Sequence, residues 1–355
     1  MNYICIKGYP ELSITHLKRL TDCFGIIQHS KYGIPDKKTG YTTDDNARAL
    51  LVTLRYWNII KEEELLELAR IYLGFIWYVL REDGWLHNFV SYEKVFLDDI
   101  GSEDSFGRTF LACAYAYNTA PTDMALCARE ILDRMKVHMG EIKSPRAISF
   151  LLAGYTFYGE KKDIVFNLAE KMIKLYRDNA RDDWKWIEPY LAYDNGIIPI
   201  GLLSSYLILK DKVFLDIGLE ALNFLADYSF KNGIFVPPGN EKWELNTNGE
   251  GRPMFDQQPL ESASFIEACR MAFHITKDDR YIKWAMNAFD WFFGKNIIGE
   301  DVYDANTKAC RDGINRYGLN LNAGAESILS YLLAYLSIYE MLTEETLHIL
   351  QGVER

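Results

Sequence analysis

Carboxylates stand just ahead of apolar, small-residue stretches at several points of this chain. Asp44-Asp45 precede Asn46-Ala47-Arg48-Ala49-Leu50, and Glu103-Asp104 precede Ser105-Phe106-Gly107-Arg108. Asp194-Asn195 lead into Gly196-Ile197-Ile198, Asp256 and Glu261 flank Gln257-Gln258-Pro259, and Glu326 lies in Asn322-Ala323-Gly324-Ala325-Glu326-Ser327. Hydrolysis of a glycosidic bond with inversion needs one protonated and one ionised carboxyl group, roughly 6.5–9.5 Å apart, on opposite sides of the sugar. The candidate acids are Glu103 and Glu326, and the candidate bases are Asp45, Asp104 and Asp256. Among small residues the Glu326 carboxyl is expected to be partly desolvated, which favours the protonated form that a general acid requires.

The company of these acids is as informative as the acids. Arg48 and Arg108 follow their acid pairs by about one helical turn, so Asp44, Arg48 and Arg108 join the expected binding surface. The run Trp184 to Asn195 contains Trp186, Glu188, Tyr193, Asp194 and Asn195, a set suited to stacking on a sugar ring and bonding its hydroxyls. Arg252, Gln257 and Gln258 offer paired donors and acceptors for vicinal hydroxyls, and Asp312 and Asn322 lie in and just after another long connection. Helix capping competes for several of these residues. Thr43, Asp44 or Ser102 can accept from free first-turn amides, Pro259 suits a first-turn position, and Glu261 favours the helix dipole.

The elements that must carry these groups alternate. Amphipathic stretches near 13–23, 62–81, 122–139, 163–179, 212–230 and 278–295 take turns with stretches lacking a polar face, which begin near Asp44, Glu103, Ser144, Asp194, Pro259 and Asn322. Successive apolar starts lie between 41 residues apart (Glu103 to Ser144) and 65 apart (Asp194 to Pro259), room for two helices and their loops. A helix apolar on all sides must be buried on all sides. Six such helices wrapped by six amphipathic ones form an all-α (α/α)6 toroid, read here as one domain over residues 1–355. The longest connections, 83–102, 230–258 and 295–321, all enter the front ends of buried helices and are expected to form a binding face.

Composition excludes other classes. The net charge of -11 lacks the clustered Lys and Arg that a nucleic-acid partner demands, and it disfavours acidic glycans in favour of neutral ones. The six cysteines show no metal-ligand spacing, so neither metal nor cofactor is expected. No long apolar segment marks a signal or anchor, which leads to the expectation of a cytoplasmic protein without a membrane partner. Nothing in the chain fixes an oligomeric state.

Gly40 to Leu51 (GYTTDDNARALL), Ser102 to Arg108 (SEDSFGR), Tyr193-Asp194-Asn195, Phe255 to Glu261 (FDQQPLE), Ala288 to Asn296 (AFDWFFGKN), Cys310 to Gly313 (CRDG) and Gly324 to Ser327 (GAES) resemble a family of bacterial proteins. These occur alone or fused behind retaining-type glycosyltransferase domains. The resemblance spans nearly the whole chain and implies a toroid similar to the six-hairpin glycosidases, with a glycosyltransferase as a partner. Asn322-Ala323 departs from it, since relatives tend to carry Asn followed by Gln. The first functional expectation is a glycosidase-like hydrolase acting on a neutral oligosaccharide or polysaccharide. A sugar epimerase or lyase on the same toroid would draw its proton-transfer group from His29, His87 or Tyr193, and a third reading is a non-catalytic glycan-binding module.

Overall fold

The computed structural model describes residues 4–159, 162–241, 244–245 and 253–353. Its α-helices are α1 (Thr15–Leu20), α2 (Thr43–Ile60), α3 (Glu63–Val79), α4 (Glu103–Thr119), α5 (Thr122–Met135), α6 (Pro145–Tyr158), α7 (Lys162–Asn179), α8 (Ile197–Leu209), α9 (Lys212–Ser229), α10 (Pro259–Thr276), α11 (Arg280–Phe289) and α12 (Ala325–Val353). Among them α2, α4, α6, α8, α10 and α12 each pack on the next, and α12 returns to α2. The outer helices cover this ring, with α3 on α2, α5 on α4, α7 and α9 on α8, α11 between α10 and α12, and the short α1 on α12. The protein is therefore an (α/α)6 toroid. Because an outer helix returns the chain between inner ones, all six inner helices begin at the same face of the ring.

The inner wall is tight because its facing positions are small. A methyl group added at Gly107 of α4 would sit 2.8 Å from the Ala147 carbonyl of α6, and one at Gly201 of α8 would sit 2.6 Å from the Ser149 Cα of α6. α8 has no polar face, and its first nine residues are all buried.

Local chemistry sets the helix ends. The Thr42 hydroxyl accepts from the Asp45 amide (3.1 Å), the Ser102 hydroxyl from Ser105 (3.1 Å) and the Ser144 hydroxyl from Ala147 (3.3 Å), each an N-cap. Pro145 and Pro259 occupy first-turn positions, where no hydrogen bond is lost. Three inner helices end on a left-handed lysine, namely Lys61 (φ 56°), Lys210 (φ 61°) and Lys277 (φ 57°). Each donates its backbone N–H to an aromatic residue four positions back, and its ammonium lies over that ring, Trp57, Tyr206 or Phe273, at 3.6, 5.8 and 5.6 Å. The cation–π contact offsets part of the cost of the left-handed turn.

Two inner helices start later than their sequence suggests. Asp194 has φ 47°, which keeps it out of a right-handed helix, so α8 begins at Ile197. α12 begins at Ala325 rather than near Asn322, because Asp312 accepts from the Gly324 amide (2.6 Å) and the Ser327 hydroxyl (2.7 Å) and sets the first turn there. Among the described residues strands are confined to two- and three-residue pairs, several of them in the loops that enter the inner helices. One pair sets Thr42 opposite Phe89 immediately before α2. Among the described residues no helix is long and apolar enough to cross a membrane.

Candidate active site

The face where the inner helices begin holds a pocket of about 280 Å³ lined by Gln28, His29, Thr42, Asp44, Asp45, Arg48, Asn88, Phe89, Ser102, Asp104, Arg108, Tyr193 and Glu326. Its carboxylates come from three consecutive helices of the ring, α12, α2 and α4. Arg48 organises them. Its Nη2 lies 2.9 Å from Asp44 Oδ2, and its Nη1 lies 2.8 Å from Glu326 Oε2 and 3.4 Å from Asp45 Oδ1. Arg108 also reaches Asp44, with Nε 2.7 Å from Oδ1, while its Nη2 lies 2.5 Å from Asp194 Oδ2 and its guanidinium covers the Phe150 ring at 4.3 Å. Asp44 thus bridges two arginines, and this network floors the pocket.

Asp104 is held by hydroxyls. Ser144 Oγ donates to its Oδ1 at 2.5 Å, and Tyr193 donates to its Oδ2. The Tyr193 ring is backed by the Arg146 guanidinium at 4.8 Å. Two oxygens with about four acceptor positions still leave Asp104 able to hold a water or a sugar hydroxyl.

Asp45 is chemically the most unusual of the lining carboxyls, with a side chain only 6% exposed. Burial pushes its pKa up to about 7, and the neighbouring carboxylates of Asp44 and Glu326 add to this, while Arg48 and the Thr42 hydroxyl oppose it. A carboxyl that keeps its proton near neutrality can serve as a general acid. Glu326 departs from the expectation of a desolvated acid, since its side chain is 40% exposed and paired with Arg48. Burial and Asp104 push the Tyr193 hydroxyl upward, so it keeps its proton and is a poor base.

Of the residues singled out in the sequence, His29, Asp44, Asp45, Arg48, Ser102, Asp104, Arg108, Tyr193 and Glu326 meet in this pocket. The others are placed elsewhere. Glu103 accepts from the Lys143 and Ser144 amides (2.8 and 2.6 Å) and fastens the start of α6. Trp186 is fully buried against Phe224 of the outer layer, so no ring face is open to a sugar. Glu188 is buried in an ion pair with Arg146 (2.9 Å). Asp194 and Asn195 are buried below the pocket, where Glu261 accepts from both their backbone amides and from the Asn195 side chain (2.9 Å).

Gln257 is fully buried, accepting from the Trp291 indole (3.0 Å) and donating to the Met254 carbonyl (2.8 Å). Gln258 is the residue before α10, and Asp256 sits half-buried at φ 60° with burial raising its pKa; neither lines the pocket. Asp312 caps α12 as described, and Asn322 accepts from the Tyr32 amide (3.3 Å). Arg252 lies outside the described residues. Conversely, Gln28, Asn88 and Phe89 line the pocket without having been singled out, and the only available signal was their position ahead of α2 and inside the long connection into α4.

Beneath the arginine floor a larger cavity of about 360 Å³ runs down the ring axis between Leu51, Leu111, Phe150, Ile200, Leu260 and Leu333. Its far end carries Arg55, Glu267, Arg270 and Glu340, which are bonded to one another, as in Arg55 Nη2 to Glu340 (2.7 Å) and Arg270 Nη2 to Glu267 (2.5 Å). An apolar chamber whose charges satisfy each other offers little to a polyhydroxylated ligand, whereas the mouth pocket converges polar groups. Among the described residues no group of three or more His, Cys, Asp or Glu side chains is arranged to hold a metal ion.

No family model matches the sequence, and no curated protein sequence matches it. Solved structures do match in shape. A sugar epimerase from a ruminal bacterium is 13% identical with a TM-score of 0.72, over 93% of this chain and 95% of that one. A cellobiose 2-epimerase from Spirochaeta thermophila is 13% identical with a TM-score of 0.69, over 93% of each chain. A GH76 α-mannanase from Bacteroides thetaiotaomicron is 10% identical with a TM-score of 0.62, over 93% of this chain and 94% of that one. At such identities the likeness is one of fold.

Proposed function

We propose that this protein is a cytoplasmic enzyme acting on a neutral glycan by acid–base hydrolysis at the mouth of the toroid. The observation that carries the reading is the buried Asp45 carboxyl, poised near neutrality among ionisable neighbours in a pocket of sugar-sized volume. Asp45 donates the proton to the leaving oxygen. Asp104, one helix further round the ring and oriented by Tyr193 and Ser144, activates the water.

Asp104 is taken as the partner because Glu326 sits too close to Asp45, and Asp104 is the pocket's carboxylate on the next helix. The Nη1 of Arg48 lies 3.4 Å from Asp45 Oδ1 and 2.8 Å from Glu326 Oε2, which keeps those oxygens within about 6.2 Å of each other with a cation between them. An inverting pair needs roughly 6.5–9.5 Å and an open gap for water. Glu326 instead positions Arg48. The carboxylate excess of the mouth favours neutral over acidic sugars.

The likeness in fold to sugar epimerases keeps proton exchange at a sugar carbon as the rival chemistry. Of its candidate groups, Tyr193 holds its proton, and His87 does not line the pocket and is bonded to the Asp98 carbonyl (2.7 Å), which leaves His29 alone. Incubation with cello- and manno-oligosaccharides in deuterated water, followed by NMR, separates the two. Hydrolysis gives new reducing ends without deuterium at C2, and C2 deuterium without chain cleavage overturns the proposal. Binding without either product points to a glycan-binding module, and co-purification with a glycosyltransferase tests the partnership that the family resemblance implies.

A further inference from the structure

A second concavity of about 510 Å³ lies on the outer layer, lined by Tyr78, Leu80, Arg81, Glu82, Asp83, His87 and Phe96. The topology places it beside the mouth. α3 runs back from the far end of α2, so its C-terminal residues, among them Tyr78, return to the face where α4 begins. A single stretch of backbone divides the two pockets, since His87 lines this groove while Asn88 and Phe89 line the mouth.

The groove combines ring faces with polar groups. His87 stacks on Phe96 at 3.9 Å and 9°, and Tyr78 meets Phe96 at 5.2 Å. Tyr78, Phe89 and Phe96 remain 42%, 43% and 37% exposed, and the adjoining Tyr78 and Phe96 form an exposed aromatic patch of the kind that marks a binding groove. Arg81 is fixed to Asp83 (Nη2 to Oδ2, 2.8 Å), and Glu82 beside them is exposed. Aromatic faces for sugar C–H groups next to fixed donors and acceptors for hydroxyls suit a carbohydrate better than a protein side chain or an anion.

We infer that the groove holds further units of the same neutral glycan whose reacting unit sits in the mouth, the chain passing over Phe89. The enzyme would then act on oligosaccharides of several units rather than on a monosaccharide or disaccharide. This inference rests on the carbohydrate reading of the mouth.

Calorimetric titration of the whole protein with cello- and manno-oligosaccharides of two and of six units tests it. The six-unit chain is expected to bind wild type more tightly than the two-unit one. Phe96→Ala and Tyr78→Ala are each expected to weaken the long chain about tenfold and leave the short one unchanged. Leu97→Ala, next to Phe96 in the chain but outside the groove, should change neither and so controls for disturbance of this segment. Equal affinity of wild type for both lengths, or an equal loss for both in Phe96→Ala and Tyr78→Ala, overturns the groove while leaving the mouth reading in place. Absence of binding to either length overturns both.

Discussion

Arg48 on the first inner helix and Glu326 on the last meet at 2.8 Å, so one ion pair both closes the ring and stands in the mouth. The partners are unequal, because the arginine side chain is 5% exposed and the glutamate 40%. Removing each therefore has a different cost. Arg48→Met strips the cation from Asp44, Asp45 and Glu326 together and is expected to destabilise the fold by about 3 kcal/mol. Glu326→Gln removes a half-solvated partner and is expected to cost under about 1 kcal/mol. Urea unfolding of both variants checks the order, and equal losses would contradict it.

Like Asp45, Glu261 makes stability depend on pH. Its pKa is raised by burial and the nearby Asp194 from 4.5 to about 7, so the native state holds this proton more tightly than the unfolded chain does. The contribution is complete below the unfolded value and disappears as pH rises through about 7. Thermal melts of the wild type should therefore fall between pH 5 and 8, by a stability on the order of 1–3 kcal/mol. Glu261→Gln should make that decline shallower, with Asp45 supplying what remains, and an unchanged slope in the variant would remove Glu261 as a source.

Lys210 ends α8 in a left-handed conformation, and of the three such lysines its ammonium is furthest from its ring, at 5.8 Å. Lys210→Gly relieves the backbone cost and loses the weakest cation–π contact. It should stabilise the protein by about 1 kcal/mol, read as a rise in melting temperature. A fall in melting temperature would mean that the contact outweighs the strain.

The ring was legible in the sequence for a simple reason. A helix such as Ile197–Leu209, with no polar side, has no stable place except behind other helices, and six of them alternating with amphipathic ones imply closure. The acid pairs were legible as well, but their wiring was not. Asp44-Asp45…Arg48 and Glu103-Asp104…Arg108 look alike in sequence. Yet Arg48 binds both acids of its own pair as well as Glu326, whereas Arg108 binds neither acid of its own pair but Asp44 and Asp194 from other parts of the chain, and Glu103 turns to the start of α6. Such pairings depend on which helices become neighbours. Aromatic content likewise says nothing about which side of a wall a ring occupies. Trp186 and Tyr193 stand seven residues apart, one sealed in the outer layer and one bonded to Asp104 in the mouth.

Tyr193→Phe removes one of the two hydroxyls that orient Asp104. If Asp104 activates water, kcat should fall roughly tenfold to a hundredfold with KM little changed, and steady-state kinetics on a cleaved oligosaccharide reads this directly. A rise in KM alone would make Tyr193 a binding group.

The protonated Asp45 is the centre of the proposed chemistry. The most direct test measures kcat/KM for wild type and Asp45→Asn side by side, from pH 5 to 9, on a neutral oligosaccharide that the wild type cleaves. The wild type should lose activity as pH rises through about 7, and Asp45→Asn should be slower by roughly 10²–10⁴-fold with that falling limb gone. A variant that retains wild-type kcat/KM and the same pH profile would contradict the assignment.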